Sequence, residues 1–494
     1  MYVTQQFGVS AAHPLAAEAG MRILREGGNA VDASIAVACA LGVVEPYASG
    51  LGGGGNMLIH PTDDGEPVVY DYRETAPSHL DAAYNTGVPG VVKGIERISK
   101  EYGKLSLHEV MQPAIELAET GFPINEIISR NLAETKHKNM VNISHFYPNK
   151  KPLQPGELLI QKELAETMKR IAAEGSDVFY TGELADEIIR TGVGISVEDL
   201  ADYETVLRKP VKSTFLNHKV YTAPAPVGGA LIAQALRVIE EMGLHKEDVT
   251  SAAFMAKLGN ILKSCYTMRN AYMGDPAFVH VKEELLLEDT AIQSLVSTIR
   301  EQTSPPQIEM KDVNNTTHFS VMDGDGMVVS TTNTLSNFFG SGVYVGGMFL
   351  NNQMQNFSRD SDSPNAYKPG KRCQSIIAPT ILSEHGKPWL AIGASGAARI
   401  PTLITTVLLK YLVKNYSIEE AIAHRRHFAG EQEMYCEEEL SIHEQDLLKE
   451  YGYTYVHHPE PMFYGGVQAV AMKQGNIEGA GDPRRGGVFK NNQS

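Results

Sequence analysis

The sequence predicts a layered sandwich in which helices flank antiparallel strands. Two observations carry this. Paired helical patterns open the chain, at residues 14–25 and 29–44, and the second is so apolar that it must be largely buried. Alternating runs then recur in pairs around Asp/Gly turns, at 57–61 with 67–72 and at 318–322 with 327–332, which is how antiparallel hairpins read.

Taken in order, the pattern at 14–25 has proline in its first turn and Ala, Leu, Met and Ile at helical spacing, with Gly27 and Gly28 as a stop. The stretch ASGLGGGGNMLI, 48–59, contains G-x-G-x-x-G at Gly50, Gly52 and Gly55. A dinucleotide site needs a strand before such glycines and a helix after them. Here the order is reversed and no GK[ST] follows, so the glycines read as backbone passing close to something else. The hairpin 57–72 turns around Asp63, Asp64 and Gly65 and ends at Arg73. Residues 105–310 are mainly helical in pattern, most clearly at 107–120 and 163–174, with a strand-like run at 209–220. Residues 283–312 are charged and polar, broken at Thr303 to Pro306, and read as a surface loop or flexible tail leading to Thr316. The hairpin around Asp323 to Gly326 follows, then Gly-rich turns to Asn352. A strand at 389–392, helices at 402–414 and 419–426 and a strand at 467–473 complete the chain. It shows no internal repeat and no low-complexity segment.

A length of 494 residues suits two or more average domains or one large α/β body. Hydrophobic residues at 43% can fill a sizeable core. Lys and Arg number 43 against 59 Asp and Glu, a net charge of -16, which argues against a nucleic-acid binder. A local basic cleft in an acidic body can still take an acidic substrate. Cys39, Cys265, Cys373 and Cys436 are far apart, with no CxxC pair to suggest zinc, a redox couple or a disulfide framework. The first residues lack a basic n-region and an apolar h-region, so the chain as given carries no signal peptide and reads as cytoplasmic, or as secreted or cell-surface if a leader was removed. No apolar run reaches the roughly 18 residues of a membrane span.

Several motifs together resemble one family: GVSAAHPLA with GGNAVDA, GLGGGGNM, DYRETAP, VPGVVKG, TTHFSV, LNNQMQNF, GASGAARI, and GGVQA with GAGDPRR. Over nearly its whole length the chain resembles the γ-glutamyltranspeptidase family of N-terminal-nucleophile (Ntn) hydrolases, and within it the capsule-depolymerase branch that cuts poly-γ-glutamate. The resemblance implies an α+β fold, a four-layer αββα sandwich. It implies self-cleavage between Asn315 and Thr316. The large segment 1–315 and the small segment 316–494 would stay associated and intertwined in one globular body. No cofactor or metal is required. His424 and His427, three apart on the expected helix, have no third ligand in view and read as structural.

The chemistry is consistent with that placement. A threonine hydroxyl is a poor nucleophile and needs a base. Cleavage before Thr316 frees its α-amine, whose reference pKa of about 7.7–8.0 fits the role, so one residue supplies both groups. Thr317 is expected to pack or hydrogen-bond locally. The resemblance implies that Thr334 hydrogen-bonds the nucleophile and that Arg73 holds the substrate α-carboxylate, a task suited to its planar fork. Ser375 matches the first of two family serines on that carboxylate; Ile376 stands where the second would be. Backbone N–H groups of Gly396 and Ala397 match the oxyanion hole. A side chain at 397 is free of strain only if φ is negative. Small-molecule transpeptidases have an aspartate, pairing with the substrate α-ammonium, where this chain has Asn356. Inside poly-γ-glutamate that nitrogen is an uncharged amide, which asparagine suits better. Gln353 would help hold the same nitrogen. Arg485 matches a residue used on the polymer's carboxylates, with Arg484 beside it as a fold ion pair. Only the short loop 357–371 separates Asn356 from Arg372, leaving an open cleft.

The expected activity is therefore attack on a γ-glutamyl amide, resolved by water or an amine acceptor, with poly-γ-glutamate or γ-glutamyl peptides as donor. The alternatives are a glutathione-type γ-glutamyltransferase, a β-lactam side-chain acylase of the same fold, and a nucleotide-binding protein using Gly50 to Gly55.

Overall fold

Two antiparallel sheets stack face to face, and helices cover the outer side of each, giving four αββα layers. The computed structural model describes residues 6–62, 65–135, 143–281, 283–302, 304–308 and 315–493. The seven-stranded sheet runs in the order Val488–Asn491, Gly8–Ala11, Asn315–Met322, Val328–Ser336, Gly54–His60, Val68–Asp71, Val206–Arg208. The six-stranded sheet runs Asn476–Gly481, Gly466–Lys473, Lys387–Ser395, Thr380–Glu384, His218–Thr222, Val211–Phe215. Each sheet joins strands from before and after residue 315.

The helices Pro14–Arg25, Ala30–Val44, Leu107–Thr120 and Lys162–Glu174 pack in one apolar core with the first sheet. Gly229–Glu241, Ala252–Tyr272, Asp289–Glu301 and Ile400–Val413 pack with the second. Every residue of Ala30–Val44 is buried, as its apolar circumference requires. Its start is capped by Asn29 and Asp32, and Asp323 in the distant hairpin turn accepts from the Ala30 N–H at 2.9 Å. That bond fixes the hairpin carrying Thr316 against the helical layer.

Strand period then sorts the faces of Asn315–Met322. Phe319 and Val321 enter the helical core, while His318 points at the second sheet. There it bonds Thr332 Oγ1 at 2.8 Å and Ser320 Oγ at 3.1 Å, and burial pushes its pKa down to about 3, so it stays neutral. The glycine loop serves close approach, as read. A Cβ on Gly53 would lie 2.4 Å from the Thr334 carbonyl oxygen, and one on Gly55 2.1 Å from Asn333 Oδ1.

Three expectations need correction. The polar stretch 283–312 contains the helix Asp289–Glu301, whose Ile292, Leu295, Val296 and Ile299 are buried at helical spacing; charges on the other face obscured that period. The run 209–220 is two strands, Val211–Phe215 and His218–Thr222, reversed at Leu216 with φ 54°. The expected helix 419–426 stops at Ala423: His424 caps it, Arg426 turns in to Asp482 at 3.0 Å, and His427 begins the strand His427–Ala429, so the two histidines share no helix face. The turn at Asp63 and Asp64 and residues 309–314 lie outside the described residues; strands Gly54–His60 and Val68–Asp71 pair as expected. Among the described residues no helix is long and apolar enough to cross a membrane.

The sheet-to-sheet contact is testable at Gly393, where a Cβ would come 2.2 Å from the His318 ring. Gly393→Ala is expected to cost about 1–3 kcal/mol, the range for overpacking a filled interior, seen as a lower melting temperature. An unchanged melting temperature would show that the sheets are not packed this closely.

Candidate active site

The site begins at a defect in the sheet. Strands Asn315–Met322 and Val328–Ser336 pair regularly up to Thr316 opposite Thr334, after which Asn315 faces Ser336 and Leu335 is left over. Such a bulge bends its strand and re-aims side chains. Ser336 takes φ 77°, and its N–H donates to Thr334 Oγ1 at 2.9 Å. The Thr334 hydroxyl donates to the Asn315 carbonyl oxygen at 2.9 Å, and the Thr316 hydroxyl donates to Thr334 Oγ1 at 3.3 Å. One donor and two acceptor positions are all a hydroxyl has, so Thr334 is fully used. It thereby links the carbonyl before Thr316 to the Thr316 hydroxyl. Both threonines are buried.

A second buried set lies on the other face of the strand. The Asn315 carboxamide donates to the Tyr47 carbonyl at 3.2 Å and accepts from Arg485 Nη1 at 2.8 Å. Thr317 donates to Glu45 Oε2 at 3.0 Å, the local bond expected of it, and Tyr47 donates to Glu45 Oε1 at 2.9 Å. Burial pushes the Glu45 carboxyl up, opposed by these two hydrogen bonds and the charge of Arg485.

The bulge also reaches Asn356, whose side-chain amide donates to Ser336 Oγ at 3.3 Å. Its backbone carbonyl accepts from Asn365 Nδ2 at 2.8 Å, so the short loop 357–371 is folded against it. Asn356 lines a cavity of about 530 Å³ together with Arg269, Gln374, Ser375, Ile376 and Ala398. Arg269 Nη2 donates to the Ser375 carbonyl at 2.6 Å and fixes that wall.

Arg73, Gln353 and Ser375 are the remaining expected substrate residues, and Ser375 lines the same cavity as Asn356. Arg73 is fully buried; Asp71 lies 3.5 Å from its Nε, and none of its three guanidinium nitrogens has a hydrogen-bond partner. A buried cation with unused donors suits an anionic ligand. Burial raises the Asp71 carboxyl, but Arg372, Arg73 and Arg208 outweigh it and hold the pKa at about 2. The Gln353 side-chain oxygen is likewise buried and unpartnered.

Gly396 and Ala397 turn the end of strand Lys387–Ser395 toward helix Ile400–Val413. Gly396 has φ 134° and Ala397 φ 56°. A side chain at 397 therefore sits in the left-handed region, at roughly 1–2 kcal/mol. Arg484 meets Glu437 at 2.6 Å and Asp482 at 3.1 Å, the ion-pair role anticipated for it. Among the described residues no group of three His, Cys, Asp or Glu side chains is gathered as a metal site. Ser336, Glu45, Tyr47 and Arg269 were missed from the sequence. Only Ser336 had a signal there, two residues past Thr334; the others arrive through tertiary contacts.

The family model for gamma-glutamyltranspeptidase matches residues 16–491. The chain is 41% identical over 491 residues to the capsule biosynthesis protein CapD proenzyme of Bacillus anthracis, covering 99% of this chain and 91% of that protein. It is 34% identical to the glutathione hydrolase proenzyme of Escherichia coli (strain K12), covering 96% of this chain and 90% of that one. The crystal structure of cephalosporin acylase from Bacillus halodurans superposes with a TM-score of 0.90 at 26% identity, covering 98% of this chain and 96% of that one. That of the Bacillus anthracis transpeptidase CapD superposes with a TM-score of 0.53 at 41% identity, covering 58% of this chain and 98% of that one.

The left-handed turn predicts an ordering of variants. Ala397→Gly should keep or slightly raise stability, whereas Ala397→Val should lose about 1–3 kcal/mol, measured by denaturant unfolding. Equal stabilities for the two would contradict the positive φ.

Proposed function

The chain belongs to the γ-glutamyltranspeptidase family, and from that premise we propose that it cuts itself between Asn315 and Thr316 and then uses Thr316 on γ-glutamyl amides, with poly-γ-glutamate as donor. Family members are γ-glutamyl hydrolases and transpeptidases. The observation that carries the reading is the Thr334 hydroxyl, bonded at once to the Thr316 hydroxyl and to the Asn315 carbonyl oxygen.

Self-cleavage starts as Thr316 Oγ attacks the Asn315 carbonyl carbon. Thr334 stabilises the charge that develops on the carbonyl oxygen and relays the hydroxyl proton. The C–N bond breaks as the Thr316 nitrogen gains a proton, leaving an ester between the Asn315 acyl group and Thr316 Oγ. Water splits that ester into the Asn315 carboxylate and the free hydroxyl and amine of Thr316. The products are segments 1–315 and 316–494, held together by the shared sheets. Proenzyme names among the relatives and a solved CapD chain that matches 58% of this chain at nearly its own full length support this reading.

In the mature form the Thr316 amine takes the proton of its own hydroxyl, and Oγ attacks the γ-glutamyl carbonyl carbon. Backbone N–H groups of Gly396 and Ala397 receive the oxyanion. The leaving amine departs with the proton, and water or another amine releases the acyl group, giving hydrolysis or transfer. Arg73 and Ser375 take the α-carboxylate, Gln353 and Asn356 the amide nitrogen, and Arg485 a further carboxylate. The donor side rests on Asn356: it presents a neutral carboxamide, which needs no cation on the donor nitrogen. A second reading, release of acyl side chains from β-lactams, is favoured by the likeness to cephalosporin acylase. A third, glutathione as donor, is favoured by the glutathione hydrolase relatives.

The wild type should run as two bands on a denaturing gel, the smaller beginning at Thr316, and Thr316→Ala should remain one band without activity. A variant that still divides at this bond would remove Thr316 from the mechanism. Asn356→Asp should move the ratio of glutathione turnover to poly-γ-glutamate shortening toward glutathione by about tenfold, the effect of one buried charge-assisted hydrogen bond. No change in that ratio would dissociate Asn356 from donor choice.

A further inference from the structure

Asn315 is tied at more points than a strand residue needs. Its side chain and backbone are fully buried, and its carbonyl oxygen is held by Thr334 at 2.9 Å. Its carboxamide is held at both ends, by the Tyr47 carbonyl at 3.2 Å and by Arg485 Nη1 at 2.8 Å. Arg485 is itself anchored, with Nη2 on the Met462 carbonyl at 3.4 Å. The three elements involved are far apart in sequence: the end of the second helix, the start of the nucleophile strand and the penultimate turn of the chain. Tyr47 is fixed in turn by Glu45, which also accepts from Thr317.

We propose that the Asn315 carboxamide is a handle by which Arg485 and the Tyr47 carbonyl orient the scissile carbonyl toward the Thr316 hydroxyl, making Arg485 a positioning residue for self-cleavage. The inference rests on the reading that the chain cuts itself at this bond. A peptide plane pinned only at its oxygen can still rock about the bonds on either side. Pinning the side chain of the same residue removes that freedom, and correct orientation of reacting groups is a large part of intramolecular rate. A carboxamide suits the position because it offers a donor to the carbonyl and an acceptor to the guanidinium from two separate atoms; an aliphatic side chain offers neither, and a hydroxyl has both functions on a single atom. The grip acts only on the precursor: once the bond is broken, Asn315 ends the large segment and Arg485 is no longer tied to the residue joined to Thr316. The same guanidinium that orients the bond is thus engaged until cleavage is complete.

The test follows fragment appearance on denaturing gels during cell-free synthesis of the full chain. Asn315→Ala and Arg485→Gln should each slow cleavage by roughly tenfold or more, and the double variant should be no slower than the slower single one. Arg485→Lys should recover part of the rate. Asn315→Asp should keep a charge-assisted bond to Arg485 but lose the donor to the Tyr47 carbonyl, so it should cleave faster than Asn315→Ala and slower than the wild type, and lose rate as pH falls through the carboxyl range. Wild-type rates in both single variants, or slowdowns that multiply in the double, would overturn the inference. A wild type not cut between Asn315 and Thr316 would instead overturn the reading beneath it. Melting temperatures of the same variants carrying Thr316→Ala separate slow cleavage from poor folding, and Asn315→Asp tests the grip even where Arg485→Gln folds poorly.

Discussion

The mismatch between two neighbouring strands sets the terms for the rest of the site. Thr334 and Thr316 are cross-strand neighbours, and regular antiparallel pairing would continue with Leu335 opposite Asn315. The extra residue, Leu335, lets the Ser336 N–H meet Thr334 Oγ1 and leaves the Thr334 proton for the Asn315 carbonyl. The bulge is held from outside as well: the Leu335 N–H donates to the Ala48 carbonyl at 2.9 Å, and the Gly53 backbone passes too close to the Thr334 carbonyl for any side chain. The glycine loop thus packs its backbone directly against the bulge. It permits the close packing that keeps the bulge in one conformation.

The same bulge connects Thr334 to Asn356. Ser336 supplies its N–H to Thr334 and its hydroxyl oxygen to Asn356, so the residue assigned to the donor nitrogen is two hydrogen bonds from the nucleophile's partner. Asn356 in turn is braced by Asn365 from the short loop. These contacts form a continuous polar chain from the loop to Thr334 that runs from a half-buried to a buried setting.

Charge is distributed against the global sign of the protein. The chain carries -16 overall, yet Asp71 is approached by Arg73, Arg208 and Arg372 at 3.5, 2.8 and 3.6 Å. Arg269 lies close enough to Arg73 for each to feel the other's charge. Several guanidinium groups thus share few carboxylates. Buried cations in excess, with Arg73 making no hydrogen bond through its side chain, create a local field for an anion inside an acidic body. The carboxyl of Glu74 beside them is pushed up to about 7 by burial and does not simply cancel that field near neutral pH.

Much of this was legible from the sequence because it is local or carried by motif. The helix Pro14–Arg25 followed from apolar spacing and a glycine stop, Leu107–Thr120 from its helical pattern, and the hairpin at Asp323 from its turn residues. Thr316, Thr334, Arg73 and Asn356 came from motif resemblance. The possible strain at residue 397 followed from the presence of a side chain there. Tertiary structure decided what depends on residues far apart in sequence. The helix Asp289–Glu301 was hidden because its four buried apolar residues are diluted by charge and gain meaning only against the second core. The end of the helix at Ala423 was set by the pull of Asp482 on Arg426, a partner 56 positions away. The sign of φ at Ala397, the bulge at Leu335 and the grip of Arg485 on Asn315 likewise arise where separate elements meet, since a backbone conformation or a buried hydrogen bond is fixed by the surroundings that leave it no alternative.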